Sequence, residues 1–196
     1  MKTILVLLTI LLANYDAFTQ GTLVYDQQSA TGGLARGGAP IQGQQPMGQS
    51  FTPSLSTVGF VQFQFDNTSG SLGATVYLNL VANSITGSVV AATSPVFIGN
   101  NFLGTTNFFF FGNIAIQPGI EYFFQPVLQS GDNLNVLSDF YNYTGGAAIY
   151  SGVPRTDTRD FWFREGIVVP EPSSFALLGI SELAVFFSRH KPNKLR

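Results

Sequence analysis

The sequence predicts an all-β fold, and we expect an antiparallel, jelly-roll-like β-sandwich. Three observations support this expectation. Apolar and polar residues alternate with a period of two along several segments. Turns rich in Gly, Asn and Ser separate these segments. The 196-residue chain also contains 19 Phe and 21 Gly, a composition that favours pleated sheets over helices. No helical period occurs between the two ends of the chain.

Four segments define the expected strands. In VGFVQFQFD, apolar Val61, Phe63 and Phe65 alternate with Gln62 and Gln64, and ATVYLNLVA repeats this pattern. The segment NFFFFGNIAI is apolar on both faces, which indicates a central strand. IEYFFQPVLQ continues the sheet, and its proline indicates an edge position or a bulge. The QPG before it fits a type II turn.

The chain divides into three parts. Residues 21–168 form the predicted sandwich domain, between a terminal segment at 1–20 and another at 169–196. Inside the domain, residues 28–49 read QSATGGLARGGAPIQGQQPMGQ and are rich in Gly and Gln. Few apolar side chains are available there to anchor the backbone, so a long surface loop is expected.

The composition excludes several classes of function. The chain has no Cys, and its one His is His190, near the C-terminus. A thiolate site, a Ser-His-Asp triad and a His-based zinc site in the domain are therefore excluded. Residues 21–165 contain eight acidic residues, four arginines and no lysine. Nucleic-acid binding needs a basic surface, so no nucleic-acid partner is expected.

Residues 1–20 have the pattern of a secretory signal peptide. Lys2 provides the charged start, and residues 3–13 form an apolar run of the usual length for such a signal. The run is short for a transmembrane helix. An uncleaved N-terminal anchor is the alternative interpretation.

Residues 169–196 combine a proline motif, an apolar stretch and a basic end. Pro170 and Pro172 terminate any preceding strand. Residues 174–188 are mostly apolar but shorter than the roughly 20 residues of a free-standing spanning helix. Five basic residues follow, as the positive-inside rule expects at a cytoplasmic side. We therefore expect a short C-terminal transmembrane helix. An amphipathic helix packed on the domain is the alternative.

The residues Val169, Pro170, Glu171 and Pro172, the apolar stretch and the basic end together resemble a PEP-CTERM sorting signal. The resemblance implies an exported bacterial protein whose tail is recognised by an exosortase-type membrane enzyme. Such a protein is membrane-anchored before processing and then lies at the cell surface or outside the cell. Many proteins of this kind come from species that make extracellular polysaccharide. Glu182, inside the apolar stretch, departs from the family pattern.

No catalytic residue is predicted. The segment TDTRDFWFRE contains Asp157, Asp160 and Glu165, but Arg159 and Arg164 lie between them and Arg155 precedes them. Neighbouring opposite charges favour the ionised form of an acid. We therefore expect a solvated strip of ion pairs rather than an acid of raised pKa. The alternative is a carbohydrate-active hydrolase or lyase that uses a pair of carboxylates on the sandwich.

Calcium is the one candidate cofactor. Asp66 and Asp132 each precede an Asn in a turn, and they offer the oxygen ligands that calcium prefers. Asx side chains also bond their own backbone in ordinary turns. Both interpretations stay open at this point.

Aromatic residues near the end of the domain are candidates for carbohydrate contact. These are Tyr141, Tyr143 and Trp162, in DFYNYTGG and DFWFRE. Alternation places Trp162 on the opposite face from its two Phe neighbours, so its ring lies on the surface or in a groove if those Phe are core. The alternative is that Trp162 covers one end of the sandwich.

The sequence as a whole favours an exported, non-enzymatic protein of the cell surface or extracellular matrix that associates with polysaccharide. The hydrolase or lyase described above is one alternative. A structural component of the matrix without any ligand is another.

Overall fold

The computed structural model describes residues 21–170. The predicted signal peptide at 1–20 and the sorting segment from residue 171 onward lie outside the described residues. In the described part of the chain, no helix is both long and apolar enough to cross a bilayer. Leu23–Val168 form one compact unit.

The described chain is built from β-strands, with one short 3-10 helix at Gln42–Gln44. The strands, numbered in chain order, are β1 (Thr22–Gln28), β2 (Gly37–Pro40), β3 (Gly48–Phe51), β4 (Thr57–Asp66), β5 (Ala74–Ala82), β6 (Ser88–Ala92), β7 (Val96–Ile98), β8 (Leu103–Ala115), β9 (Tyr122–Gly131), β10 (Asn135–Asp139), β11 (Ala148–Tyr150), β12 (Val153–Pro154), β13 (Asp160–Phe161) and β14 (Phe163–Val169).

These strands form two sheets of seven strands each. Sheet A has the order β1-β14-β4-β10-β13, with β8 added beside β4 and β2 beside β10. Sheet B has the order β12-β11-β3-β9-β5-β6, with β7 added beside β5. The strand pairings within both sheets are antiparallel. The prediction of an all-β, antiparallel sandwich is therefore confirmed.

An aromatic cluster forms the centre of the core between the two sheets. Phe63 lies 6.3–6.4 Å, between ring centroids, from Phe65, Phe161 and Phe163 of its own sheet and from Phe124 of sheet B. All five side chains are fully buried. Aromatic pairs contribute about 0.5–1.5 kcal/mol beyond their area burial, and the pairs of Phe124 with Phe63 and Phe163 join the two sheets.

The predicted alternation along β4 is confirmed. Val61, Phe63 and Phe65 belong to the core, whereas Gln62 and Gln64 lie outside it, on the opposite face of sheet A. The alternating apolar residues of β5 are likewise fully buried in the core. The period of two thus identified the inner faces of one strand in each sheet.

The prediction that NFFFFGNIAI forms a central strand is wrong. All but the last residue of this segment belong to β8, which among the described strands pairs only with β4, at the edge of sheet A. Phe109 is 45% exposed and Phe111 is 97% exposed. A register shift opposite Gly59 adds several β8 residues there, and Phe111 lies among them. The strand is apolar on both faces, but only one of these faces meets the core.

Two predictions about prolines are confirmed. β9 pairs with β3 only through Tyr122 to Phe124, so Pro126 has a neighbouring strand, β5, on one side alone. The QPG turn is also present. Gly119 has a φ of 76°, and the Ile120 amide donates a hydrogen bond to the carbonyl of Gln117 at 3.3 Å.

The prediction of one long surface loop at 28–49 is also wrong. This stretch contains β2, the 3-10 helix and the start of β3, and Ile41 and Met47 are buried in the core. Backbone pairing of β2 with β10 holds the segment in place despite its few apolar side chains. Residues 29–36, here called the cover segment, lie against the outer face of sheet A. There the Ala35 amide donates to Gln64 Oε1 at 3.0 Å.

Candidate functional site

The outer face of sheet A carries a row of three polar side chains, here called the polar row. Strand register places Arg164 of β14 opposite Gln62 of β4, and Gln62 opposite Asn107 of β8. Gln62 Nε2 donates a hydrogen bond to Asn107 Oδ1 at 2.7 Å. Adjacent strands lie about 4.8 Å apart, so the row spans about 10 Å.

Aromatic rings flank the polar row. In the next register position, Phe60 of β4 pairs with Phe109 of β8. The ring of Tyr25 packs edge-on against Phe60 at 5.5 Å. Tyr25 is 44% exposed and Phe109 is 45% exposed, whereas Phe60 is fully buried. Hydrogen-bonding groups and accessible aromatic surface therefore lie side by side on one sheet face.

Arg164 is held in place by two rings and one hydrogen bond. Its guanidinium carbon lies 4.9 Å from the Trp162 ring centroid and 5.4 Å from that of Tyr25. Its Nε donates to the Ala30 carbonyl at 3.0 Å. Within residues 21–170 no carboxylate forms an ion pair with Arg164, unlike the other three arginines of that range. Those are Arg36, which pairs with Asp139, and Arg155 and Arg159, which both pair with Asp157.

Gln62 has an unsatisfied oxygen at the centre of the polar row. The side chain is only 8% exposed, and its Oε1 is buried without a hydrogen-bond partner in the described part of the chain. Buried polar atoms are hydrogen-bonded in the great majority of cases, because leaving one unpaired costs about 1–3 kcal/mol. The described residues therefore leave one polar atom unpaired at the centre of the polar row.

Trp162 is buried, so of the two interpretations of this residue the structure disfavours an exposed aromatic platform. The side chain is 2% exposed and packs with Ala35 and Leu137. Its Nε1 points to the Gly32 carbonyl, at 3.5 Å. The cover segment thus lies over the ring, which is not accessible for stacking on a sugar.

The two candidate tyrosines lie in different surroundings. Tyr141 is half-buried against the Trp162 cluster, and burial raises its pKa to about 12. Tyr143 packs edge-on against Phe163 at 5.2 Å, and its hydroxyl donates to Gln27 Oε1 at 3.0 Å. Burial is also the main reason for a raised pKa of Tyr143. Their role in carbohydrate contact stays a prediction.

Both candidate calcium ligands already accept hydrogen bonds, Asp66 within its own turn and Asp132 from the backbone that precedes β5. Asp66 Oδ1 accepts hydrogen bonds from the amide and hydroxyl of Thr68, at 2.8 and 2.6 Å. Asp132 Oδ2 accepts from the amides of Leu72 and Gly73, at 2.9 and 2.7 Å, and the Leu72 bond is the main cause of its lowered pKa. Residues 21–170 contain no cluster of three or more acidic or His residues arranged to hold a metal. Calcium binding stays a prediction.

The sequence did not indicate a pair of carboxyl groups that the structure brings together. Glu165 is fully buried, and its Oε1 accepts a hydrogen bond from the Gln27 amide at 3.1 Å. Burial, followed by the nearby charge of Asp26, raises the pKa of Glu165 to about 9. The expected strip of solvated ion pairs is therefore wrong for Glu165, which carries its proton at neutral pH.

The pKa of Asp26 is lowered, whereas that of Glu165 is raised. Partial burial acts to raise its pKa, but hydrogen bonds from Ser54 and Leu55 outweigh this effect, so the pKa lies below its usual value. The amides of Ser54 and Leu55 donate to Asp26 Oδ2 at 2.8 and 3.0 Å, and the Ser54 hydroxyl donates to Oδ1. An ionised acid and a protonated acid thus lie close together, where β1 meets β14.

The rest of the TDTRDFWFRE segment divides between surface and interior. Arg155 and Asp157 form the expected exposed ion pair, at 2.5 Å. Asp160 instead is 2% exposed, and burial raises its pKa. Its oxygens accept hydrogen bonds from Gln49 Nε2 of sheet B at 3.1 Å and from the Tyr143 amide at 2.9 Å. The predicted strip is therefore wrong for Asp160 too, which joins the two sheets.

The proposed sorting motif is only partly described. Val169 ends β14 and is 42% exposed. Pro170 is the last described residue, and Glu171 and Pro172 lie outside the described range.

No protein-family model matches this chain, and no curated protein is significantly similar to it.

Proposed function

We propose that this chain is an exported bacterial protein of the cell surface or extracellular matrix that binds polysaccharide without catalysing a reaction. The observation that supports binding is the polar row on the outer face of sheet A, with exposed Tyr25 and Phe109 beside it. We place carbohydrate contact at this face rather than at Trp162, whose ring is buried.

The chemistry of this face suits a sugar chain. A pyranose ring presents apolar C–H groups on its faces and hydroxyls around its rim. Exposed aromatic rings offer flat apolar surface for the faces. The planar amide of Asn107 and the guanidinium of Arg164 offer directional donors for the rim oxygens. A few fixed polar groups beside apolar surface are the usual composition of a ligand site.

The two terminal segments support the proposed destination. We propose that residues 1–20 direct export, and that residues 169–196 anchor the chain in the membrane until an exosortase-type enzyme processes the tail. The mature sandwich, residues 21–168, then lies at the cell surface or outside the cell. We also propose that its connections follow a jelly-roll-like path.

The hydrolase or lyase alternative has less support. Glycoside hydrolysis uses two carboxyl groups that both reach the substrate, about 5–10 Å apart across a cleft. The pair with opposite pKa shifts, Asp26 and Glu165, would meet the requirement for one acid and one base. However, Glu165 is fully buried, so a sugar cannot reach it without displacement of β1.

A glycan array tests the proposed binding. We would screen the full chain, purified in detergent, as wild type and as Phe109→Ala and Phe97→Ala. Phe97 is 66% exposed and lies on β7 of sheet B, so it is a matched control. We expect binding to at least one glycan, weakened about fivefold or more by Phe109→Ala only, since about 1 kcal/mol of stacking corresponds to that factor.

Two results would contradict the proposal. Absence of binding to any glycan would leave a structural matrix role as the better interpretation. Equal loss in both variants would exclude the outer face of sheet A as the site. Repeating the screen with a calcium chelator tests the candidate role of Asp66 and Asp132 in the same experiment.

A further inference from the structure

We propose that the outer face of sheet A selects polysaccharides that carry carboxylate groups, with Arg164 binding the carboxylate and Asn107 binding a neighbouring hydroxyl. This inference rests on the proposed function above and names the chemical class of its ligand.

The guanidinium of Arg164 is preorganised to bind a carboxylate. The rings of Trp162 and Tyr25 lie at 4.9 and 5.4 Å from its guanidinium carbon, and Nε is committed to the Ala30 carbonyl. The two terminal amino groups hold four further N–H donors. A guanidinium held in this way loses little conformational freedom on binding, and its fork matches a carboxylate in a two-point contact.

The charge of Arg164 is available to a ligand. No acid in residues 21–170 forms an ion pair with it. The nearest acid along the same face of β4 is Asp66, four residues from Gln62, or about 13 Å at the rise of a strand. Asp26 lies on the neighbouring β1 but is bound by Ser54 and Leu55. An anionic group on the ligand would therefore complete a charge pair that the described chain leaves open.

The rest of the polar row adds specificity for a sugar over a simple anion. Asn107 is exposed, and its Oδ1 already accepts a hydrogen bond from Gln62. This bond orients the Asn107 amide so that Nδ2 can donate outward. Gln62 lies between Asn107 and Arg164 in the strand register, but its Oε1 is buried, so the contacts with a ligand are made by Asn107 and Arg164. The row spans about 10 Å, so its two ends contact different groups of one polymer.

The domain as a whole carries more acidic than basic residues. Long-range electrostatic attraction therefore does not bring an acidic polymer to this face. Short-range contacts at Arg164 must supply the selectivity, and moderate salt screens the long-range repulsion. We expect binding of a carboxylated glycan to persist at 0.15 M salt.

Calorimetric titration of the full chain in detergent tests the inference. The probes are oligomers of galacturonic acid and oligomers of galactose, which differ by the carboxylate. The variants are Arg164→Gln, which keeps a planar donor but loses the charge, and Arg155→Gln as a matched control on an exposed arginine. We expect tighter binding of the galacturonate oligomer, reduced about tenfold or more by Arg164→Gln alone.

A second variant guards against misfolding. Arg164 contacts two rings, so its replacement could disturb sheet A, and a urea titration would show this. Asn107→Ala removes the Nδ2 donor and also the acceptor of Gln62 Nε2, so we expect a several-fold loss for the galacturonate oligomer with a modest fall in stability that leaves the domain folded.

The outcomes separate this inference from the proposed function. Equal affinity for both oligomers, unchanged by Arg164→Gln but reduced by Phe109→Ala, would overturn the carboxylate inference and leave polysaccharide binding in place. Failure to bind either oligomer while the array reports other glycans would also overturn it. Failure on the array as well would overturn both.

Discussion

At the scale of the residue, Glu165 is the side chain most at odds with its local sequence. It lies between Arg164 and Gly166, yet it is fully buried, and no arginine of residues 21–170 forms an ion pair with it. Its Oε2 is buried without a hydrogen bond in the described chain. A carboxylate in this position would be desolvated and close to the charge of Asp26. The protonated form is therefore the one that the fold accepts.

Stability should consequently fall as pH rises. Folding raises the pKa of Glu165 from 4.5 to about 9, so between these values the folded chain binds a proton that the unfolded chain has lost. The stabilisation is complete below about pH 4.5 and is lost up to about pH 9, by at most about 1.4 kcal/mol per pH unit. We expect Glu165→Gln to flatten this dependence and to be more stable than wild type at pH 8.5.

Urea titrations of both proteins from pH 5 to pH 9 measure this effect. Asp157→Asn, on an exposed ion pair, is the control and should retain the wild-type slope. Parallel stability curves for wild type and Glu165→Gln would show that Glu165 is ionised in the folded state.

The burial of Glu165 could have been read from the alternation of the strand. Phe161, Phe163 and Glu165 have the same parity, and the two Phe were expected on one face. The arginines beside these acids predict ion pairs with them, but this prediction assumes that neighbours in sequence are also neighbours in space. In a strand, successive side chains point to opposite faces, so Arg164 lies outside and Glu165 inside.

At the scale of the element, Gln49 ties β3 of sheet B to β13 of sheet A. Its Nε2 donates to Asp160 Oδ1 at 3.1 Å, and its Oε1 accepts from the Phe161 amide at 2.9 Å. Gln49 and Asp160 are both almost fully buried. Both groups of one amide side chain thus bridge the two sheets within an otherwise aromatic core.

Removing the Gln49 side chain should lower the free energy of unfolding. Gln49→Ala leaves the Phe161 amide and one Asp160 oxygen buried without a partner, at about 1–3 kcal/mol for each group. We expect the free energy of unfolding to fall by at least about 2 kcal/mol in a urea titration. Gln117→Ala, at an exposed turn position, should change it by less than about 0.5 kcal/mol. Similar values for the two variants would mean that the bridge contributes nothing.

The contributions of a buried and an exposed phenylalanine to stability can be compared by replacing each with alanine. Phe63 contacts four core rings, whereas Phe111 is 97% exposed. We expect Phe63→Ala to lower the free energy of unfolding by about 3–5 kcal/mol and Phe111→Ala to leave it almost unchanged. Thermal or urea unfolding measures both, and a large loss for Phe111→Ala would mean that this side chain is covered in solution.

The contrast between β4 and β8 shows what the sequence could and could not predict. Alternation of apolar residues and Gln in β4 correctly identified its inner and outer faces. The run of four Phe in β8 has no alternation to read, and its position depends on which strands β4 pairs with on its other side. Those partners, β14 and β10, lie far away in the sequence. The polar row was missed for the same reason, since register brings Arg164 and Asn107 to Gln62.

At the scale of the whole molecule, the proposed processing of the C-terminal segment can be tested directly. Replacing Pro170, Glu171 and Pro172 with Ala should leave export intact but block removal of the tail. Mass spectrometry of the surface-extracted protein checks this. The wild-type protein should lack Lys194 to Arg196 and the variant should retain them. Retention of that segment in the wild-type protein would refute the proposed processing.

The position of β14 has a consequence for how the domain is completed during synthesis. β14 is the last strand of the domain to be made, yet it lies between β1 and β4 in sheet A. β1, the first strand, has β14 as its only neighbour in the sheet order. β1 therefore cannot pair within sheet A until β14 has been made. A high proportion of such distant pairings slows folding. Because synthesis begins at the N-terminus, sheet A stays incomplete until residue 169 has been added.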